Sequence, residues 1–151
     1  MQAHRARRIA QELQLSGSSN HQLAHFHGKT MLPFLREGDQ MAVAPVAWED
    51  IRVGDILTYR FLERYPTRRV TQIRRDELVL KGDSISGLPE FVVAREDVLG
   101  RAEARLRDGV WCRRSDWAWR RATYSALARL WVLQRLANFR WIVRVWLTSR
   151  S

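Results

Sequence analysis

The stretch Gly28-Lys29-Thr30-Met31-Leu32-Pro33-Phe34-Leu35-Arg36-Glu37-Gly38-Asp39 decides how this chain is read. It lies between two short β-type runs, Leu23–His27 and Met41–Pro45, and its closing Gly38-Asp39 pair has the composition of a turn. Two more Gly-Asp pairs, Gly54-Asp55 and Gly82-Asp83, punctuate the chain downstream, and their unequal spacing excludes a repeat array. Working outward, further strands are expected at Asp55–Phe61, Arg69–Arg74, Glu77–Lys81, Phe91–Val93 and Leu99–Arg105. The turn Arg107-Asp108-Gly109 then leads into a hairpin with Val110–Arg113. Many short strands at this spacing predict a mainly β, antiparallel, partly closed domain.

The flanks have a different texture. Ala6–Leu15 has helical composition and ends in the polar run Ser16–Asn20, which predicts a short N-terminal helix and a linker over residues 1–20. Ser115–Leu147 contains no Gly or Pro and is rich in Ala, Leu, Arg and Trp, so one or two helices are expected there. The reading is therefore an N-terminal segment (1–20), a β domain (21–110) and an Arg/Trp-rich helical tail (111–151). At 151 residues and 46% hydrophobic content the chain holds one domain with a real core and is not a disordered polymer.

The net charge of +10 is unevenly distributed: residues 111–151 hold nine arginines against Asp116 alone. Such a block is first read as an interaction surface. Cys112 is the one cysteine, which leaves no internal disulfide and no cysteine-based metal site; no metal or cofactor is expected. The N-terminus lacks the apolar core of a secretion signal, and no uninterrupted apolar run of about 18 residues occurs. A cytoplasmic protein, at most peripheral at a membrane, is the expectation.

The Gly28–Asp39 stretch resembles the nucleophile segment of type I signal peptidases and SOS-repressor-type autoproteases. In that family a serine is followed by Met, a spacer, Pro, and Gly-Asp at a fixed distance; here Met31, Pro33, Gly38 and Asp39 stand in register, and with Gly28, which opens the stretch, they form the candidate peptide-binding motif. Ile51-Arg52-Val53-Gly54-Asp55-Ile56-Leu57 is similar to the family's second Gly-Asp box, and Val79-Leu80-Lys81-Gly82-Asp83-Ser84 to its last. Thr67-Arg68-Arg69-Val70 falls where the family carries its general base, and Val98–Ala102 resembles the closing strand. The resemblance covers roughly Gln22 to Leu106 and implies a signal-peptidase-like β domain that takes an extended peptide along a strand edge. In the intact family a serine hydroxyl attacks a peptide carbonyl while a neutral lysine, or in one type a histidine, removes its proton.

Both catalytic positions are substituted. Thr30 replaces the serine; its hydroxyl is usable, but the added methyl restricts χ1 and crowds attack. Arg68 replaces the base, and a guanidinium does not release a proton at neutral pH. Lys81 is a conceivable substitute base, and Asp83 matches the acid that orients the base in the histidine-type enzymes. His25 and His27 alternate toward Thr30 and read as a solvated strand face.

Six of seven tryptophans lie in the tail among its arginines. On a helix, Arg129, Arg140 and Arg144 fall close together, while Leu130, Trp131, Trp141, Ile142, Val145 and Trp146 form a broad apolar arc. Trp131, Arg140, Trp141 and Arg144 are thus candidates for a membrane-surface or partner contact. Crossing a bilayer is disfavoured, since Arg129, Arg135, Arg140 and Arg144 would each cost about 2.5–3.5 kcal/mol at its centre. Packing on the core or on a partner protein ranks first and the membrane surface second. Nucleic acid comes last, because no nucleic-acid-binding signature is present.

The sequence predicts a signal-peptidase-like protein that acts on or binds extended leader or precursor peptides, with a degenerate dyad and inactivity favoured over hydrolysis. A non-catalytic peptide- or partner-binding adaptor is the alternative.

Overall fold

The computed structural model describes residues 21–84 and 90–148, with only the backbone of 139–148. Eight strands form one antiparallel sheet, curled into a half-barrel: β1 (Gln22–His25), β2 (Gln40–Ala44), β3 (Ile56–Tyr59), β4 (Thr67–Ile73), β5 (Glu77–Lys81), β6 (Phe91–Ala94), β7 (Val98–Arg107) and β8 (Val110–Arg113). The order is β1-β2-β7-β3-β4-β5-β6, with β8 hairpinned onto β7. Every expected strand is present, several with shifted ends; His27 lies beyond β1, and Pro45 and Phe61 lie outside their strands. The expected N-terminal helix lies outside the described residues.

Three bulges, at Ala42/Val43, Thr58/Tyr59 and Val70/Gln72, curl the sheet by adding a residue to one strand of a pair. Both faces of the sheet are covered, so alternation along a strand sends neighbours into different cores. On β3, Ile56 enters a cluster with Phe26, Met31, Phe34, Leu35 and Met41, while Leu57 and Tyr59 enter another with Val70, Leu78, Leu80 and Val93.

The tail is a single helix, α1 (Trp117–Thr148). Its first turns belong to the domain: Trp119 is buried and meets the Phe34 ring edge-on at 4.8 Å, and Ala126 is buried as well. Beyond Leu130 the described side chains of α1 are all exposed. A 32-residue helix is about 48 Å long, so its distal half extends beyond the domain that its first half covers. No described helix is long and apolar enough to cross a membrane.

Candidate functional site

The Gly28–Asp39 segment is held at both ends. At its base, Phe26 N–H donates to the Asp39 carbonyl at 2.8 Å, and Gly38 N–H returns to the Phe26 carbonyl at 3.1 Å. Gly38 sits at φ +84°, a conformation glycine enters without a steric penalty. At its outer end, Glu37 accepts from the Gly28 amide and from His27 Nδ1, and these two bonds, the amide first, hold its carboxyl below the usual range. The middle is pinned through the Phe34 carbonyl, which accepts from Arg105 at 2.6 Å and Arg107 at 3.0 Å. Met31 and Leu35 are fully buried. Thr30 is thereby carried on an anchored loop whose backbone is also tied to Ser84, whose amide donates to the Thr30 carbonyl at 3.1 Å.

Arg68 lies directly against Thr30. Thirty-eight positions apart in sequence, Arg68 Nη1 donates to Thr30 Oγ1 at 2.7 Å and to the Thr67 carbonyl at 3.0 Å. Its guanidinium carbon sits 5.4 Å from the centre of the Phe91 ring, within cation–π range. Because Leu57 is the register partner of Arg68, the arginine shares a face with Leu57 and Tyr59. Burial pushes the Tyr59 hydroxyl above its usual pKa, and the charge of Arg68 opposes part of that shift.

Arg69, next along β4, points the other way and reaches a different destination. It makes two bonds to Asp83, 2.7 and 2.6 Å, and further bonds to the Gly54 carbonyl and Thr123 Oγ1 on α1. Asp83 is therefore fixed as the partner of a buried arginine. Lys81 is the register partner of Arg69, so it leaves the sheet on the Arg69 face, away from Arg68, and its ammonium pairs with Glu90 at 2.8 Å.

The other two Gly-Asp aspartates follow the same plan. Asp39 binds Arg107 through both oxygens, at 2.9 and 2.6 Å. Burial pushes its carboxyl up, but the bonds from Arg107 and the Arg36 amide, with the charges of Arg107 and Arg105, outweigh it, and the pKa is lowered. Asp55 accepts from the Arg52 amide, Arg101 and Arg114, tying the second box to the corner where β8 enters α1. The three boxes thus act as arginine-locked turns. Their arginines were not singled out in the sequence, although in Arg68-Arg69 the alternation of a strand already requires opposite faces.

A cleft of about 550 Å³ opens at the foot of α1, lined by Arg52, Asp55, Glu103, Arg113, Arg114 and Tyr124 among others. Neither Thr30 nor Arg68 lines it. Farther along α1, Trp131 is exposed and carries the Arg135 guanidinium 4.8 Å above its ring. The side chains of Arg140, Trp141 and Arg144 lie outside the described ones.

Chemically, the Thr30–Arg68 contact opposes hydrolysis. Attack by a hydroxyl needs a neighbour that accepts its proton, and Arg68 instead spends a donor on the oxygen's lone pair. No group of three His, Cys, Asp or Glu able to hold a metal occurs among the described residues. A scan against protein-family models finds no match, and a search of curated proteins finds no significant one.

Proposed function

We propose that this chain is a peptide-holding module built on a β core of the signal-peptidase type, in which hydrolysis has been lost. The observation that carries the reading is the 2.7 Å bond from Arg68 to Thr30 Oγ1: two positions picked out by family resemblance meet across 38 residues, with a permanent cation where the base would stand. β1 runs straight into the Thr30 loop and, among the described residues, pairs on one side only, with β2. Its other edge, which no described strand pairs, would take an extended leader or precursor peptide by main-chain hydrogen bonds and bring its end or a bond near Thr30.

The test is cleavage of a mixed peptide library by wild type, by Thr30→Ser/Arg68→Lys and by Thr30→Ala. Cleavage by the double variant alone supports a degenerate peptidase whose remaining role is binding. Cleavage by wild type that stops in Thr30→Ala overturns the loss of hydrolysis.

A second reading, peripheral attachment to a membrane, is favoured by the distal half of α1. Trp131, Val132, Leu133 and Leu136 are exposed on three sides of the helix, and Arg135 covers the Trp131 ring, a pairing suited to the headgroup zone. Co-sedimentation with anionic and neutral vesicles, for the full chain and for one ending at Leu130, tests it. Binding by the full chain alone supports attachment, and equal behaviour of the two overturns it.

A further inference from the structure

We infer that the Thr30–Arg68 site takes a carboxylate, and specifically the free C-terminal carboxylate of the bound peptide. The inference deepens the peptide-holding reading and rests on it.

The argument begins with which arginines are neutralised. Arg69, Arg101, Arg107 and Arg114 all reach a carboxylate of this chain. Arg105, which has none, spends its charge on the Phe34 carbonyl and ring and stands close enough to Asp39 to feel its charge. Arg68 is half-buried against Phe91, and its bonds go only to a hydroxyl and a main-chain carbonyl. Neither of these bonds reaches a carboxylate, and its Nε is closed to solvent with no hydrogen-bond partner among the described residues. A guanidinium so placed has lost part of its hydration without gaining a counter-charge.

The neighbouring groups have the same polarity. Thr30 Oγ1 accepts from Arg68, which leaves its own hydrogen free to be donated. The Tyr59 hydroxyl, on the same sheet face, is closed to solvent with no hydrogen-bond partner among the described residues, so it brings no counter-charge to Arg68. The site therefore offers donors and positive charge. An internal peptide bond would present one neutral carbonyl oxygen and leave the charge of Arg68 unanswered. A terminal carboxylate presents two acceptor oxygens and the missing negative charge, which matches a planar guanidinium. The ligand is then a peptide that ends at Thr30, chemically the form in which a cleaved peptide leaves a peptidase.

The experiment is affinity selection by the intact chain from two random octapeptide pools, identical except that one ends in a free carboxylate and the other in an amide. The acid pool should be captured about tenfold over the amide pool, in line with a charge-assisted bond. Arg68→Gln, its fold checked by circular dichroism, should lower the ratio of acid-pool to amide-pool capture to about one. Equal capture of both pools by wild type overturns the carboxylate assignment and leaves the peptide-holding reading standing. Enrichment of Asp or Glu within captured amidated peptides assigns the carboxylate to a side chain and overturns the C-terminal assignment. Capture of neither pool overturns the underlying reading itself. The wild-type comparison needs no variant, so it decides the matter even where Arg68→Gln fails to fold.

Discussion

The Arg69 guanidinium and the Asp83 carboxylate meet through two parallel hydrogen bonds of 2.7 and 2.6 Å, with neither side chain exposed to solvent. The pair joins β4 to the last Gly-Asp turn, and the remaining Arg69 nitrogen extends the link to Gly54 and to Thr123 on α1. Four parts of the fold thus converge on one arginine.

Removing one member of that pair leaves the other charged in the core. Asp83→Asn is expected to destabilise the protein by about 3–5 kcal/mol, seen as a fall in Tm on the order of 10 °C. Arg69→Met/Asp83→Leu, which removes both charges, should cost less than Asp83→Asn. A double variant as unstable as the single one would show that the network to Gly54 and Thr123, and not charge pairing, carries the stability.

Asp39 predicts acid sensitivity. Its pKa is lowered in the folded protein because the Arg107 bonds and the Arg36 amide outweigh burial. A depressed carboxyl contributes stability that is present above its unfolded value, about 3.9, and is lost as pH falls through the lower folded value. Asp39→Asn should therefore be less stable than wild type at pH 7, with the gap narrowing below about pH 4. Urea denaturation at a series of pH values checks the sign; a gap that stays constant to pH 2 would assign the effect of the substitution to packing.

Gly54, in the turn before β3, packs directly against α1. It sits at φ +97°, and a Cβ there would stand 2.9 Å from Thr123 Cγ2 and 3.2 Å from Leu127 Cδ1. Gly54→Ala combines an unfavourable backbone region with overpacking, and should cost about 2–4 kcal/mol. It should also loosen the first turns of α1, so the tryptophan emission, to which the buried Trp119 contributes, is expected to shift to the red. An unshifted emission would mean that the helix moves as a body without exposing Trp119.

Much of this architecture was legible in the sequence, and the reasons it was not all legible are physical. The strands were readable because β-type runs alternate with Gly-Asp turns. Their ends were not, because Pro45, Phe61 and His27 continue the composition of a strand into loops that tertiary hydrogen bonds define. That Thr30 meets Arg68 was implied only by family resemblance, since no local pattern relates positions 38 residues apart. The three aspartates were read as turn residues, which they are, but their arginine partners come from β4, β7 and the β8–α1 corner and leave no trace in spacing. Lys81 shows the same limit: it adjoins the last Gly-Asp turn but leaves the sheet on the Arg69 face, away from Arg68. The tail at 111–151 read as one unit, whereas β8 and the first turns of α1 are built into the domain.

That division of α1 makes a sharp prediction about truncation. Trp119, Thr123 and Ala126 contribute to the core or to the Arg69 network, while the described side chains beyond Leu130 are all exposed. A chain ending at Leu130 should therefore melt close to the full-length Tm, within a few degrees. One ending at Arg114 removes the Phe34–Trp119 contact and one Arg69 partner; losing the tryptophan alone is comparable to a large core truncation, about 3–5 kcal/mol. Thermal denaturation of the two truncations beside the full chain separates these cases. Should the chain ending at Leu130 lose as much stability as the one ending at Arg114, the distal half of α1 must be buried in solution, against another copy of the chain. The oligomeric state of the full-length protein, measured by sedimentation, would then fall to monomer on that truncation.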